Sequence, residues 1–183
     1  MGKINPIIYN VKNINVAIRT AEPKDAEKII ELIKAIDEET TFLLREPGEF
    51  NMTLQKEKEF LADKQEETTG IFLIAETDGN PIATCTLAGN SRKRLLHASN
   101  LAIAIKKQYC GIGIGRKMME AAIAWAKENN ITRITLEVDT NNYRAISLYT
   151  RLGFEVEGTF KMDKKMSDGS YRNSYAMALL LLD

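Results

Sequence analysis

Three glycines crowd the segment Cys110-Gly111-Ile112-Gly113-Ile114-Gly115, where apolar alternation gives way to helical spacing. The start of a helix leaves N–H groups unpaired and carries partial positive charge. Glycines let a backbone approach a bound group closely. Strand, glycine loop and helix start together point to a diphosphate site, with a tight packing turn as the plain alternative. A dinucleotide fingerprint has some support, because Glu137 and Asp139 end the next strand at roughly the expected distance. It fails in its third small residue, which falls on Arg116 or Met118 according to register. A P-loop fails as well, since no Gly-Lys-Ser/Thr follows.

The rest of the chain supplies elements to hold this loop. Asn15–Arg19 alternates like a strand, and Pro23 suits a first helical turn. Ala26, Ile29, Ile30, Ile33 and Ile36 then predict a helix to about Glu39. Thr53 can cap a second helix reaching Gln65. Ile71–Thr77 and Pro81–Ala88 flank Asp78-Gly79-Asn80, a hairpin signal. A strand over His97–Ile105 precedes the glycine loop, and a helix begins near Gly113. Ile131–Val138 reads as a strand and Asn142–Leu152 as a short helix stopped by Gly153. Phe154–Lys161 and Ser174–Leu182 read as two last strands. No linker or repeat divides the chain. One domain over 15–183, after an extension over 1–14 with a short strand at Ile7–Tyr9, is expected. The order predicts a mixed α/β layer fold with a mostly antiparallel sheet.

Two blocks carry a family resemblance. Cys110–Gly115 resembles the pyrophosphate loop of the GCN5-related N-acetyltransferase family, Arg/Gln-x-x-Gly-x-Gly/Ala, with Gly113 and Gly115 on its last two small positions. Cys110 stands where Arg or Gln is usual. Gln108–Gly113 also fits the pattern, but the later register places Met118 and Met119 on the helix as the family does. Asn142 to Phe154 resembles the family's Asn-x-x-Ala-x-x-Leu-Tyr-x-x-x-Gly-Phe.

The resemblance covers about Asn15 to Leu182. It implies six to seven strands with about four helices, and acetyl transfer from acetyl-CoA to an amine. It also implies that strands 97–105 and 131–138 splay apart. The pantetheine arm would bond the backbone of Leu101, Ile103 and Ile105. Cys110, Gly111, Ile112, Gly113, Ile114, Gly115 and Arg116 would hold the diphosphate through N–H groups, and Asn142 would face the cofactor. Tyr149 matches the family tyrosine that returns a proton to the leaving thiolate; a core tyrosine is the alternative.

An alkylammonium has no lone pair near pH 7, so a base, directly or through water, must take a proton. Many relatives carry Glu in the middle of the first splayed strand. Here Asn100 stands there, which can hold a water but cannot accept a proton at neutral pH. Glu137 on the neighbouring strand is the alternative base, or a surface residue. Phe42 lies where family members often build the acceptor site, and Glu38, Glu39 and Glu46 could attract a cationic amine or be solvated helix-end charges. His97 reads as a polar strand end and Arg92-Lys93-Arg94 as a solvated turn. Neither Cys85 nor Cys110 has a histidine nearby in sequence, which argues against a cysteine acyl-enzyme.

Composition narrows the class. The 183 residues carry 25 basic and 25 acidic side chains, so no net charge favours nucleic acid. No apolar run is long enough to span a membrane, and the N-terminus lacks a signal pattern. Two cysteines make no disulfide framework, and a single histidine argues against a metal. A cytoplasmic enzyme acting on a small-molecule or amino-acid-like amine is expected. The alternatives are a protein N-terminal or lysine acetyltransferase and a non-catalytic acetyl-CoA-binding module. The apolar run Ala176–Leu182 suggests a homodimer.

Overall fold

A computed structural model describes residues 2–182. A two-strand hairpin opens the chain, β1 (Ile7–Val11) and β2 (Ile14–Thr20). Helices α1 (Ala26–Glu39) and α2 (Leu54–Glu66) follow, then the meander β3 (Ile71–Thr77), β4 (Asn80–Ala88) and β5 (Ala98–Ile105). The second half runs α3 (Ile114–Glu128), β6 (Arg133–Asp139), α4 (Tyr143–Arg151), β7 (Glu155–Lys165) and β8 (Tyr171–Leu180). All eight strands join one sheet in the order β1-β2-β3-β4-β5-β6-β8-β7. Among the described residues only β5 and β6 pair in parallel.

The strand beyond the expected six or seven is β1. Its turn residues Lys12 and Asn13 both take left-handed backbone, at φ 47° and 63°. Two such residues make the turn whose twist suits a two-residue hairpin. The N-terminal segment therefore forms the sheet's outer strand beside β2.

Strand alternation sends side chains to two faces. On one face Leu73, Ala83, Cys85, Leu101, Leu136 and Met177 pack with Met118, Met119, Ala122 and Trp125 of α3 and Tyr149 of α4. On the other, Phe72 and Ile74 pack with Ile29 of α1 and Leu61 of α2. An Arg19 fork ties the second layer down. It holds Asp25 at 2.7 and 2.9 Å and Glu76 at 2.7 and 3.1 Å.

The final apolar run is partly buried within the chain. β8 is an inner strand, paired with β6 on one side and β7 on the other. Met177, Ala178 and Leu179 are buried within the chain, while Leu180 and Leu182 remain exposed. The last hairpin is longer than the sequence suggests, reaching Lys165 and Tyr171, and it shifts register between Phe160 and Lys164.

Candidate active site

β5 and β6 are paired only from Ala98–Arg133 to Asn100–Thr135. Beyond that point β5 continues to Ile105 and β6 to Asp139 without ladder contacts between them. Their outer neighbours fix which backbone groups face the parting. Lys106 N donates to Ile82 O, so the even-numbered groups of β5 serve β4. Those of Leu101, Ile103 and Ile105 turn towards β6. Thr140 N donates to Asn173 O, so even-numbered groups of β6 serve β8, and those of Glu137 and Asp139 turn towards β5. The parting is thus edged by main-chain donors and acceptors on both sides.

The glycine loop sits where β5 delivers the chain to α3. Gly113 is the residue before the helix, at φ 97°, and Gly111 lies at φ 79°. Gly113 O accepts from Lys117 N at 3.1 Å, while the first-turn amides of α3 have no intrahelical partner. Gly115 serves packing. A Cβ there would meet Ile105 Cδ1 at 2.9 Å and Leu148 Cδ2 at 3.5 Å. The Cys110 thiol turns inward towards the carbonyls of Ile105 and Lys106, and burial pushes its pKa up. The Arg116 side chain is taken by Glu120 at 2.8 Å, which leaves its backbone N–H for the loop.

A cation reaches this loop from elsewhere. The exposed Arg144 of α4 lies over Gly111, and a Cβ there would fall 1.5 Å from its Nη2. Thirty-three residues separate the two in sequence, so no local pattern announces the contact.

Helix α4 places Tyr149. Asn142 Oδ1 accepts from Ala145 N at 3.2 Å and caps the helix start. The Asn142 side-chain oxygen is therefore engaged in the cap, and its amide nitrogen is the group left for a cofactor. At the other end Gly153, at φ 92°, lets Gly153 N reach Thr150 O and Phe154 N reach Tyr149 O. The rings of Tyr149 and Phe154 pack 6.0 Å apart across this stop. Tyr149 is buried, and desolvation, reinforced by Cys85, raises its pKa well above the usual phenol value. The phenol therefore keeps its proton across the physiological range, which is what an acid needs.

On the opposite sheet face, Asn100 and Glu137 are exposed. Asn100 Nδ2 donates to Thr135 Oγ1 at 3.3 Å, across the last paired rung. Glu137 stands two residues further along β6. Phe42 is partly exposed, with the Arg172 guanidinium 5.7 Å from its ring centroid. Glu38 is exposed without an ion pair among the described residues, whereas Glu39 accepts from Lys107 N at 2.6 Å. His97 lends its carbonyl to Thr132 N and Arg133 N, and Arg92, Lys93 and Arg94 are exposed. The sequence reading missed Arg144 and the charged group Asp139, Lys164 and Arg172. Each depends on tertiary neighbours. Among the described residues no cluster of three metal-ligating side chains occurs, and no helix is long and apolar enough to cross a membrane.

The pattern of the acetyltransferase (GNAT) family matches residues 30–154. An L-amino acid N-acetyltransferase of Escherichia coli is 32% identical over 168 residues, spanning 89% of this chain and 96% of that protein. The chain belongs to the GNAT acetyltransferase family. A GNAT acetyltransferase structure from Streptococcus pneumoniae superposes with a TM-score of 0.88 at 31% identity, covering 90% of this chain and 99% of that one. The yncA protein of Salmonella typhimurium, solved with acetyl-CoA, shares the fold at 18% identity, with a TM-score of 0.80 over 92% of this chain and 95% of that one.

GNAT enzymes use acetyl-CoA, and this chain's residues fit that donor. The parted strands offer unpaired backbone, Gly113 leaves open space beside the start of α3, and Arg144 adds a positive charge over Gly111. Acetyl-CoA supplies an acetyl group already activated as a thioester.

Proposed function

We propose that this acetyltransferase acetylates the primary amine of a small, amino-acid-like acceptor, by direct transfer with both substrates bound. The observation that carries the reading is the parting of β5 from β6 beside Tyr149. The L-amino acid N-acetyltransferase relative, matched along nearly its whole length, supports the acceptor class. Two free cysteines, one sealed in the core, suit a reducing cytoplasm.

Each step falls to a named group. Leu101, Ile103 and Ile105 hold the pantetheine arm by backbone, and the amides of residues 111–116 together with Arg144 hold the diphosphate. Glu137, directly or through a water steadied by Asn100, takes one proton from the acceptor ammonium and frees its lone pair. N–H groups along the parting offset negative charge on the carbonyl oxygen as the C–N bond forms and the C–S bond breaks. The Tyr149 phenol gives its proton to the departing sulfur. The second amine proton returns to the Tyr149 oxygen, and Glu137 releases the first to water, so the enzyme ends as it began.

The test is product identification. Amino acids, simple amines and short peptides are incubated with acetyl-CoA, and products are read by mass. N-acetylated amino acids appearing with stoichiometric thiol release support the reading. Acetylated peptides with untouched amino acids would replace it by protein acetylation.

A further inference from the structure

Asp139 ends β6 with its side chain fully enclosed. Asn141 N donates to its Oδ1 at 2.9 Å. Its Oδ2 faces two cations, Arg172 at 3.3 Å and Lys164 at 3.6 Å. Tight charge-assisted bonds are about 2.7–2.9 Å, the range that the Arg19–Asp25 pair in this same chain meets. Neither cation closes on Asp139.

Arg172 spends only Nη1 here, on Asp139 and on Thr41 O at 3.2 Å. Its Nε and Nη2 have no partner among the described residues. Two cations thus share one carboxylate, and both are largely withdrawn from water, with side chains 24% and 16% exposed. Several other acids are already engaged, while among the described residues Glu137 stays free on the strand. Asp168, close enough for Arg172 to lower its pKa after its own Ser170 bonds, accepts from Ser170 N and Oγ. Asp37 holds Arg45, and Glu39 holds Lys107 N. A half-desolvated surplus of positive charge is unfavourable until an anion meets it.

The place matters as much as the charge. Glu137 lies two residues before Asp139 and on the same sheet face, about 7 Å away along the strand. Phe42 lies beside Arg172. Negative and positive recognition groups therefore flank one spot beside the parted strands.

We infer that Arg172, assisted by Lys164, binds a carboxylate of the acceptor while Glu137 meets its ammonium, so that the acceptor is a free zwitterionic amino acid. This rests on the acetyl-transfer reading and narrows its substrate class. Asp139 is then a positioning residue that orients both cations, and Phe42 forms an apolar wall for the acceptor's side chain.

The test compares an L-amino acid with its carboxamide and its decarboxylated amine, in the native enzyme, Arg172→Gln and Lys164→Gln. The native enzyme should favour the acid. Arg172→Gln should raise KM for the acid about tenfold and leave KM for the two analogues without a carboxylate within about twofold, as expected for a lost charge-assisted bond. Lys164→Gln should act in the same direction and less. Acetyl-CoA affinity and melting temperature, read in parallel, report whether the variants fold. An equal loss for acid and amide would assign Arg172 a structural role and overturn the inference. Preference for the amine or amide in the native enzyme would also overturn it while leaving acetyl transfer intact. Turnover of none of the three, or of peptides alone, would remove both readings.

Discussion

Arg144 covers Gly111 so closely that a Cβ on the glycine would fall 1.5 Å from the guanidinium. Two constraints meet at this point. The backbone at φ 79° favours glycine, and the space above it is already filled by a cation. Cys110, at the loop position where the family usually has Arg or Gln, brings no charge. Arg144 supplies from α4 what the loop itself lacks.

Gly111→Ala should therefore displace Arg144 and strain the loop together. Arg144→Gln isolates the charge. We expect Arg144→Gln to weaken acetyl-CoA binding about tenfold, near the worth of one charge-assisted bond. Gly111→Ala should weaken it more, with kcat little altered in either variant. Calorimetric titration with acetyl-CoA checks both. Unchanged affinity in Arg144→Gln would leave the arginine as a bystander.

Asn142 and Gly153 set the two ends of the helix that carries Tyr149. Asn142→Ala removes the cap to Ala145 N and should destabilise the fold by about 1 kcal/mol. If the cap orients Tyr149, kcat should fall as well. Thermal denaturation beside steady-state kinetics separates the two effects.

Asp25 links pH to stability. Burial acts to raise its pKa, but the Arg19 bond, the Glu22 N–H and the Arg19 charge outweigh it and leave the value lowered. A lowered folded pKa adds stability above the unfolded value and loses it as pH falls through the folded one. The contribution should be complete at neutral pH and fade below about pH 4, near the ordinary carboxylate value. Asp25→Asn should cost about 1–3 kcal/mol at pH 7, discounted from a fully buried pair because both partners keep some contact with water. Urea unfolding at pH 7 and pH 3 should show the gap closing.

Tyr149 predicts a pH profile. Its raised pKa, caused first by burial, keeps the phenol protonated well past pH 10. Activity should rise as the acceptor amine loses its proton, without a Tyr149-dependent fall between pH 6 and 9, about the range an assay spans. A descending limb near neutrality that Tyr149→Phe abolished would contradict the assignment.

Local chemistry made much of this fold legible in the sequence. Asp78-Gly79 turns β3 into β4, Pro23 opens the α1 region, and Gly153 stops α4. The short strand at Ile7–Tyr9 was legible too, but its pairing with β2 was not, because lysine in left-handed backbone at Lys12 carries no turn signal. The parted strands and the glycine loop were expected from the two motif blocks. Arg144 and the Asp139–Lys164–Arg172 group were not, since each joins elements that meet only in the folded sheet. Asn142 was expected to face a cofactor; its side-chain oxygen also closes a helix cap, a second use that the Asn-x-x-Ala spacing allows and the sequence reading did not name.

The most direct test of acetyl transfer through this site is Tyr149→Phe. The substitution removes one oxygen from a packed ring, so melting temperature and acetyl-CoA affinity should hold. Turnover, followed as thiol release with an amino acid acceptor, should fall about a hundredfold or more if the phenol protonates the leaving sulfur. Turnover within about twofold of the native rate, with folding and binding intact, would contradict the account, since general-acid catalysis of that size could not be at work.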